Sequence, residues 1–280
     1  MAATKAFETR PLMPGFGVEI LGVDVTSADR ETLAEVVATF NRSGAILLRA
    51  QSLDRPQQLA FTALFGLPAD SMRTDYIDPE YPKIYVISNK VIDGRVVGEY
   101  DAGIGWHTDM ATAERPALCT ILYAAEVPDE GSDTLIADMC AAWDALPEAR
   151  RQQLAGLVVH PSFVNSLKKR GLKVSEAQRA KHPDVFHPLV RRHAADGRKS
   201  LWVGSIVEGI VGMPNPEGTD LVQELMEFGT QDRFVYRHKW QVGDVLVWDC
   251  RCTLHTGTHF DRDKYVRLVY RTWVQGEAPV

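Results

Sequence analysis

Residues 243–255 read GDVLVWDCRCTLH, and residues 265–273 read YVRLVYRTW. The first run leaves a Gly-Asp turn, continues as an apolar β-favouring stretch and ends in His255, which predicts a strand over 244–255. The second predicts a strand over 264–274. Its alternation puts Tyr265, Arg267, Val269, Arg271 and Trp273 on one face and Val266, Leu268, Tyr270 and Thr272 on the other. The latter face can pack outward beneath a helix or a second sheet. The former carries two arginines, and in a protein interior these demand anionic partners, because an unpaired buried charge is strongly unfavourable.

Further β-favouring runs lie at 83–89, 117–125, 156–160 and 201–206, while 16–25 (FGVEILGVDV) alternates like a strand pair. Helices are expected after Thr26-Ser27-Ala28-Asp29, which has capping-box spacing, and over 56–65. In the first, Leu33, Val36, Val37 and Phe40 recur at three and four residues, with Gly44 placed to cap the C-terminus. Two later helical stretches are 139–156, with Pro147 suited to a first turn, and 219–228, ending before Gly229. Strands dominate the C-terminal half without regular strand–helix alternation, which disfavours a doubly wound sheet. The expected fold is mainly β with flanking helices, a sandwich or jelly-roll barrel that protects its sheet edges.

The chain has 280 residues, 45% of them hydrophobic and 24% charged, and no internal repeat or linker, so a single domain over 1–280 is expected. A net charge of −6 has the wrong sign for a protein that wraps phosphate backbones, so nucleic acid is excluded as the main partner. The N-terminus lacks a signal-like apolar segment and no window reaches the length of a membrane span; the expected location is the cytoplasm. Cys119, Cys140, Cys250 and Cys252 form no CxxC pair and are expected as reduced, mostly buried thiols. The polar stretch 165–182 and the glycine-rich loop 90–105 are surface excursions or lids over a site.

Two metal ligands one residue apart suit an extended chain, where side chains at i and i+2 share a face. His-x-Asp occurs three times, at His107-Thr108-Asp109, His182-Pro183-Asp184 and His259-Phe260-Asp261. The second is interrupted by proline in the polar stretch and the third lies in a Thr-Gly-Thr turn. The first follows Trp106 at a glycine-to-strand transition, which suits the mouth of a barrel. With His255 ending a separate strand beside the two arginines, these residues describe a facial iron site next to an anion pocket.

The sequence resembles the Fe(II)- and 2-oxoglutarate-dependent dioxygenases of the TauD/TfdA (taurine and 2,4-dichlorophenoxyacetate dioxygenase) family. The matching pieces are Trp106-His107-Thr108-Asp109, Gly131-Ser132-Asp133-Thr134-Leu135, Trp248-Asp249-Cys250-Arg251 through His255, and Arg267-Leu-Val-Tyr-Arg271, in family order over nearly the whole chain. The resemblance implies a double-stranded β-helix, or jelly roll. It implies His107, Asp109 and His255 as iron ligands, with Arg267 holding the distal carboxylate of 2-oxoglutarate and Thr134 bonding a cosubstrate carboxylate. It further implies Arg271 as the anchor for a substrate carboxylate or sulfonate, dioxygen as the other cosubstrate, release of succinate and CO2, and a dimer or tetramer. Asp109 points to hydroxylation, since related halogenases replace this carboxylate by a small residue.

Three departures stand out: Gly103 replaces an asparagine of the taurine enzyme, Cys250 stands where asparagine is usual, and the residue between His107 and Asp109 is threonine where the phenoxyalkanoate branch commonly has serine. Segments 88–97 and 234–249 look more like the phenoxyalkanoate branch, so the expected substrate is a small organic acid, phenoxyalkanoate-like acids included. The alternatives are an alkylsulfonate or taurine dioxygenase, a non-catalytic jelly roll that binds an organic anion, and a zinc hydrolase using the same three ligands.

Overall fold

The computed structural model describes residues 6–164, 167, 171 and 173–280. Seven strands form the major sheet, in the order Glu8–Met13, Phe16–Leu21, Ala45–Leu48, Val245–Asp249, Ala117–Glu126, Leu268–Gln275 and Tyr85–Ser88. Neighbours are antiparallel except Phe16–Leu21 and Ala45–Leu48, which run parallel through the helix Arg30–Ser43. Strict period-two alternation gives this sheet two buried faces. Val245, Val247, Tyr270 and Val274 pack with Phe40, Phe61 and Phe65 under the helices Arg30–Ser43 and Arg55–Ala63. Leu246, Trp248, Val269 and Trp273 point the other way, into a second core.

That second core is closed by a three-stranded sheet, Val235–His238, Thr134–Asp138 and Thr253–Gly257. Its Ile136 faces the major sheet, whereas Ala137 and Leu254 join a third core with Trp143, Val222 and Leu225 of the helices Met139–Asp144 and Glu217–Gly229. Two facing sheets with helices outside make the expected jelly roll, and the mainly β reading holds.

Several boundaries differ from expectation. The strand predicted over 244–255 is two strands in different sheets, Val245–Asp249 and Thr253–Gly257. The break is made by Asp249, whose carboxylate accepts from the Arg251 backbone at 2.8 Å and from its guanidinium at 2.6 Å, while its carbonyl accepts from Thr253 Oγ1 at 2.7 Å. The run 16–25 does not pair with itself: Phe16–Leu21 pairs with Glu8–Met13 across a turn at Pro14-Gly15. Asp29, not Thr26, caps the first helix, accepting from Thr32 N at 2.8 Å; Thr26 and Ser27 bond the Asp24 carboxylate instead. The capping box belongs to Asp54 and Gln57. The 139–156 stretch is split into Met139–Asp144 and Glu148–Leu154 at Pro147. Gly229 lies inside its helix, and the 201–206 run is mostly loop between Lys199–Leu201 and Val207–Ile210. All four cysteines are free and buried. Much of the polar stretch 165–182 lies outside the described residues. No helix among the described residues is long and apolar enough to cross a membrane.

Candidate active site

The site is assembled where the two sheets face each other. Gly103 and Gly105 adopt φ values of 81° and 93°, a left-handed region that glycine enters freely, and deliver the following residues alongside the Thr253–Gly257 strand. His107 and His255 exchange both backbone hydrogen bonds across an isolated antiparallel bridge, at 3.0 and 2.9 Å. Their rings end up 4.2 Å apart, centroid to centroid. Asp109, two residues on, lies 3.7 Å from His107 Nε2 through Oδ1 and 3.6 Å from His255 Nε2 through Oδ2. Two donor atoms each about 2.1 Å from one ion are at most about 4.2 Å apart, so both separations admit a shared metal.

The surroundings fit a cation there. His107 Nδ1 lies 2.7 Å from the Gly105 carbonyl, which takes its proton and leaves the Nε2 lone pair facing Asp109. Burial, then the neighbouring His107, push His255 down to about 3, so it is a neutral imidazole at physiological pH. Burial pushes the Asp109 carboxyl upward, but the opposing charges, Arg271 the largest, outweigh it and hold it well below the usual carboxylate range. The site therefore offers two imidazole nitrogens and one carboxylate, the donor set of a facial iron triad.

Arg271 lies beside these residues, Nη1 at 3.8 Å from Asp109 Oδ1, its guanidinium over the rings of Tyr85 and Trp273. Arg267 sits just before the strand Leu268–Gln275 and is buried. Its Nε has no hydrogen-bond partner, and no carboxylate lies within ion-pair distance, among the described residues. Burial and then Arg271 push this guanidinium down to about 10. A cation so placed needs an anion from elsewhere. Thr134 is buried on the smaller sheet, two residues from Ile136, which pairs with His255. Trp240 Nε1 donates to its hydroxyl oxygen at 3.1 Å, directing the Thr134 O–H away from the indole.

A cavity of about 420 Å³ opens onto this cluster. His107, Asp109 and Arg271 form its polar end, and Met72, Ile104, Met110, Phe163 and Ile206 supply its apolar wall. The glycine-rich loop 90–105 contributes Glu99, Asp101, Ala102, Gly103 and Ile104, so it is part of the site wall. Arg267 and Thr134 do not line this cavity. His259 lines it but is not grouped with the metal-competent side chains. Gly131 explains its place: a Cβ there would lie 2.5 Å from the His259 carbonyl, so glycine lets that segment lie against the start of the Thr134 strand. His182 instead stacks on Phe163, and Asp184 meets His160 at 3.0 Å.

Sequence reasoning missed three groups. Thr120 donates to Asp109 Oδ2 at 2.6 Å from inside the apolar run 117–126. Tyr85 donates to Glu99 at 2.6 Å, and Arg73 pairs with the same carboxylate at the cavity edge. His193 meets Asp249 at 2.9 Å, next to Cys252, a second metal-competent grouping; the Arg251 guanidinium already neutralises that carboxylate. Only Thr120 carried a legible signal, a polar residue on the inward parity of a buried strand.

A jelly roll carrying a two-histidine, one-carboxylate cluster beside buried arginines is the architecture of a non-haem metal oxygenase. The chain belongs to the taurine catabolism dioxygenase TauD, TfdA family, whose family model matches residues 8–273. It is 37% identical over 264 residues to an α-ketoglutarate-dependent 2,4-dichlorophenoxyacetate dioxygenase of Cupriavidus pinatubonensis, covering 90% of this chain and 92% of the relative. It is 30% identical to an α-ketoglutarate-dependent sulfate ester dioxygenase of Pseudomonas putida, covering 98% and 91%. Among solved structures, AAD-2 in complex with Mn(II) and N-oxalylglycine superposes with a TM-score of 0.85 at 28% identity, covering 98% of each chain. A taurine dioxygenase from Burkholderia xenovorans superposes at 0.82 with 30% identity, covering 98% of this chain and 91% of that one. The chain is thus an Fe(II)- and 2-oxoglutarate-dependent dioxygenase, an oxidoreductase that uses dioxygen and acts on a small organic molecule.

Proposed function

We propose that His107, Asp109 and His255 hold the iron, that Arg267 and Thr134 bind 2-oxoglutarate, and that Arg271 anchors the anionic group of a small organic acid hydroxylated in the 420 Å³ cavity. The observation that carries this reading is the cavity lining: His107, Asp109 and Arg271 share it with the apolar side chains of Met72, Ile104, Met110, Phe163 and Ile206. When bound, Fe(II) and 2-oxoglutarate supply oxidative decarboxylation, which releases succinate and CO2 and drives oxygen insertion into a C–H bond. The residues of the chain set the geometry. Gly105 fixes the His107 tautomer. Arg267, buried without an internal counter-ion among the described residues, is shaped for the two-pronged grip of a carboxylate. Arg271, its guanidinium over the rings of Tyr85 and Trp273, lines the cavity beside His107 and Asp109.

An apolar wall suits an aryl or alkyl body, so the substrate is a carboxylate of the phenoxyalkanoate type. Fe(II)-loaded protein supplied with 2-oxoglutarate and a panel of organic acids is expected to release succinate with aryloxyalkanoic acids. A panel in which only taurine or alkylsulfonates stimulate release would move the substrate to the sulfonate class, and stoichiometric anion binding with no succinate from any member would reduce the chain to a binding protein. The same reading treats residues 1–280 as one catalytic unit that forms a cytoplasmic homodimer or homotetramer; light scattering on the purified protein reads the copy number.

A further inference from the structure

Asp109 carries two carboxylate oxygens, and a facial site needs one of them on the metal so that the open positions stay open. Oδ1 lies 3.7 Å from His107 Nε2 and 3.8 Å from Arg271 Nη1; Oδ2 lies 3.6 Å from His255 Nε2 but is the oxygen already engaged, accepting a hydrogen bond of 2.6 Å from Thr120 Oγ1. Thr120 is fully buried on the strand Ala117–Glu126, opposite Trp248 on one side and Trp273 on the other, so its rotamer is set by the packed interior. Behind it, the Cys250 sulfur lies 3.2 Å from Thr120 Oγ1. Because the one hydroxyl proton of Thr120 is given to the Asp109 carboxylate, the Cys250 S–H is the donor across this second contact. A short bond from a hydroxyl to an ionised carboxylate is among the stronger neutral-to-charged contacts.

We propose that Thr120 is a positioning residue for the metal site: by occupying Oδ2 it fixes the carboxylate plane of Asp109 and presents Oδ1 as a single-oxygen ligand. This rests on the assignment of Asp109 as a ligand, and Cys250 is the relay that orients the hydroxyl.

The test measures Fe(II) binding to apoprotein anaerobically, together with the visible charge-transfer band that forms when 2-oxoglutarate is added, for wild type, Thr120→Val, Thr120→Ala and Thr120→Ser. Loss of a ligand-supporting hydrogen bond is expected to weaken Fe(II) binding by roughly 10- to 100-fold in the valine and alanine variants and to shift or broaden the band. The serine variant, which keeps the hydroxyl, is expected to stay within about threefold of wild type on the same scale. The alanine variant stands in if the valine variant does not fold, and apoprotein melting separates a packing defect from a metal effect. Wild-type affinity and an unmoved band in a folded valine or alanine variant would overturn the role of Thr120 while leaving the ligand assignment intact. A serine variant as weak as valine would also overturn it, because the methyl group would then be the operative part. Failure of the wild-type protein to bind Fe(II) would instead remove the ligand assignment, and this inference with it.

Discussion

At the scale of single residues, the two arginines predicted on one stripe are separated by function as well as by four positions. Arg267 is the more buried and has no carboxylate within ion-pair distance among the described residues, whereas Arg271 already meets Asp109. Arg267→Ala is therefore expected to weaken 2-oxoglutarate binding by roughly 2 to 5 kcal/mol, on the order of 30-fold to several thousand-fold, with iron affinity less affected. Anaerobic titration of the charge-transfer band reads this directly, and an unchanged cosubstrate affinity would refute the assignment. The two C-terminal histidines make a sharper contrast. His255→Ala is expected to lose iron and His259→Ala to retain it, as measured by metal content after dialysis; the reverse result would move the third ligand to His259. The candidate triad was legible because a His-x-Asp pair and a histidine closing a β-favouring run are local patterns. The wall residues Met72, Phe163 and Ile206 were not, because they reach the cavity from loops whose side-chain directions no periodicity encodes.

At the scale of elements, the presence of the main helices and the inward-outward parity of the strands were readable from spacing, while the split of 139–156 at Pro147 and the corner at 249–253 were not. Past Asp244 the run to His255 is β-favouring apart from Asp249 and Arg251, and two charged residues at that spacing do not by themselves distinguish one long strand from two. The corner exists because Asp249 captures Arg251 and His193, and His193 arrives from 56 residues upstream, beyond any sequence window. This corner redirects the chain from the major sheet to the strand that carries His255, so its stability bears on the site. Burial pushes the Asp249 carboxyl upward, but the Arg251 and His193 hydrogen bonds prevail and bring it down to about 2. Its folded-state value thus lies below the ordinary unfolded value of about 3.9, so the stabilisation is fully present above that pH and fades as pH falls toward 2. Arg251→Ala is expected to cost about 3 to 5 kcal/mol in urea unfolding at pH 7, because it leaves a buried carboxylate short of its main partner. The difference from wild type should shrink as pH falls below about 4, where protonation relieves the mutant's unpaired charge. A gap of that size that grows on acidification would contradict the assignment of this ion pair.

At the scale of the whole molecule, the candidate site is a joint between sheets. His255 belongs to the smaller sheet and His107 is bridged to it, whereas Arg271 and the Thr120 that holds Asp109 belong to the major sheet. On the proposed assignment, a metal and a 2-oxo acid held there would touch both layers at once, so opening either layer would release them. N-oxalylglycine has the 2-oxoglutarate skeleton with NH in place of one CH2, and with Mn(II) it provides a redox-silent probe. With the complex present at about 100 times its dissociation constant, unfolding free energy is expected to rise by about 2.7 kcal/mol. For a chain of this size that is a melting shift of roughly 4 to 5 °C. The distinguishing readout is distance. If the joint couples the layers, amides in the helix Glu217–Gly229, which packs against the outer face of the smaller sheet, should gain hydrogen-exchange protection along with those of the major sheet. Asp109→Ala should abolish both effects. Protection confined to the cavity loops, with the far helix exchanging as before, would mean that the ligands stabilise a local closure and that the two sheets unfold without reference to the site between them.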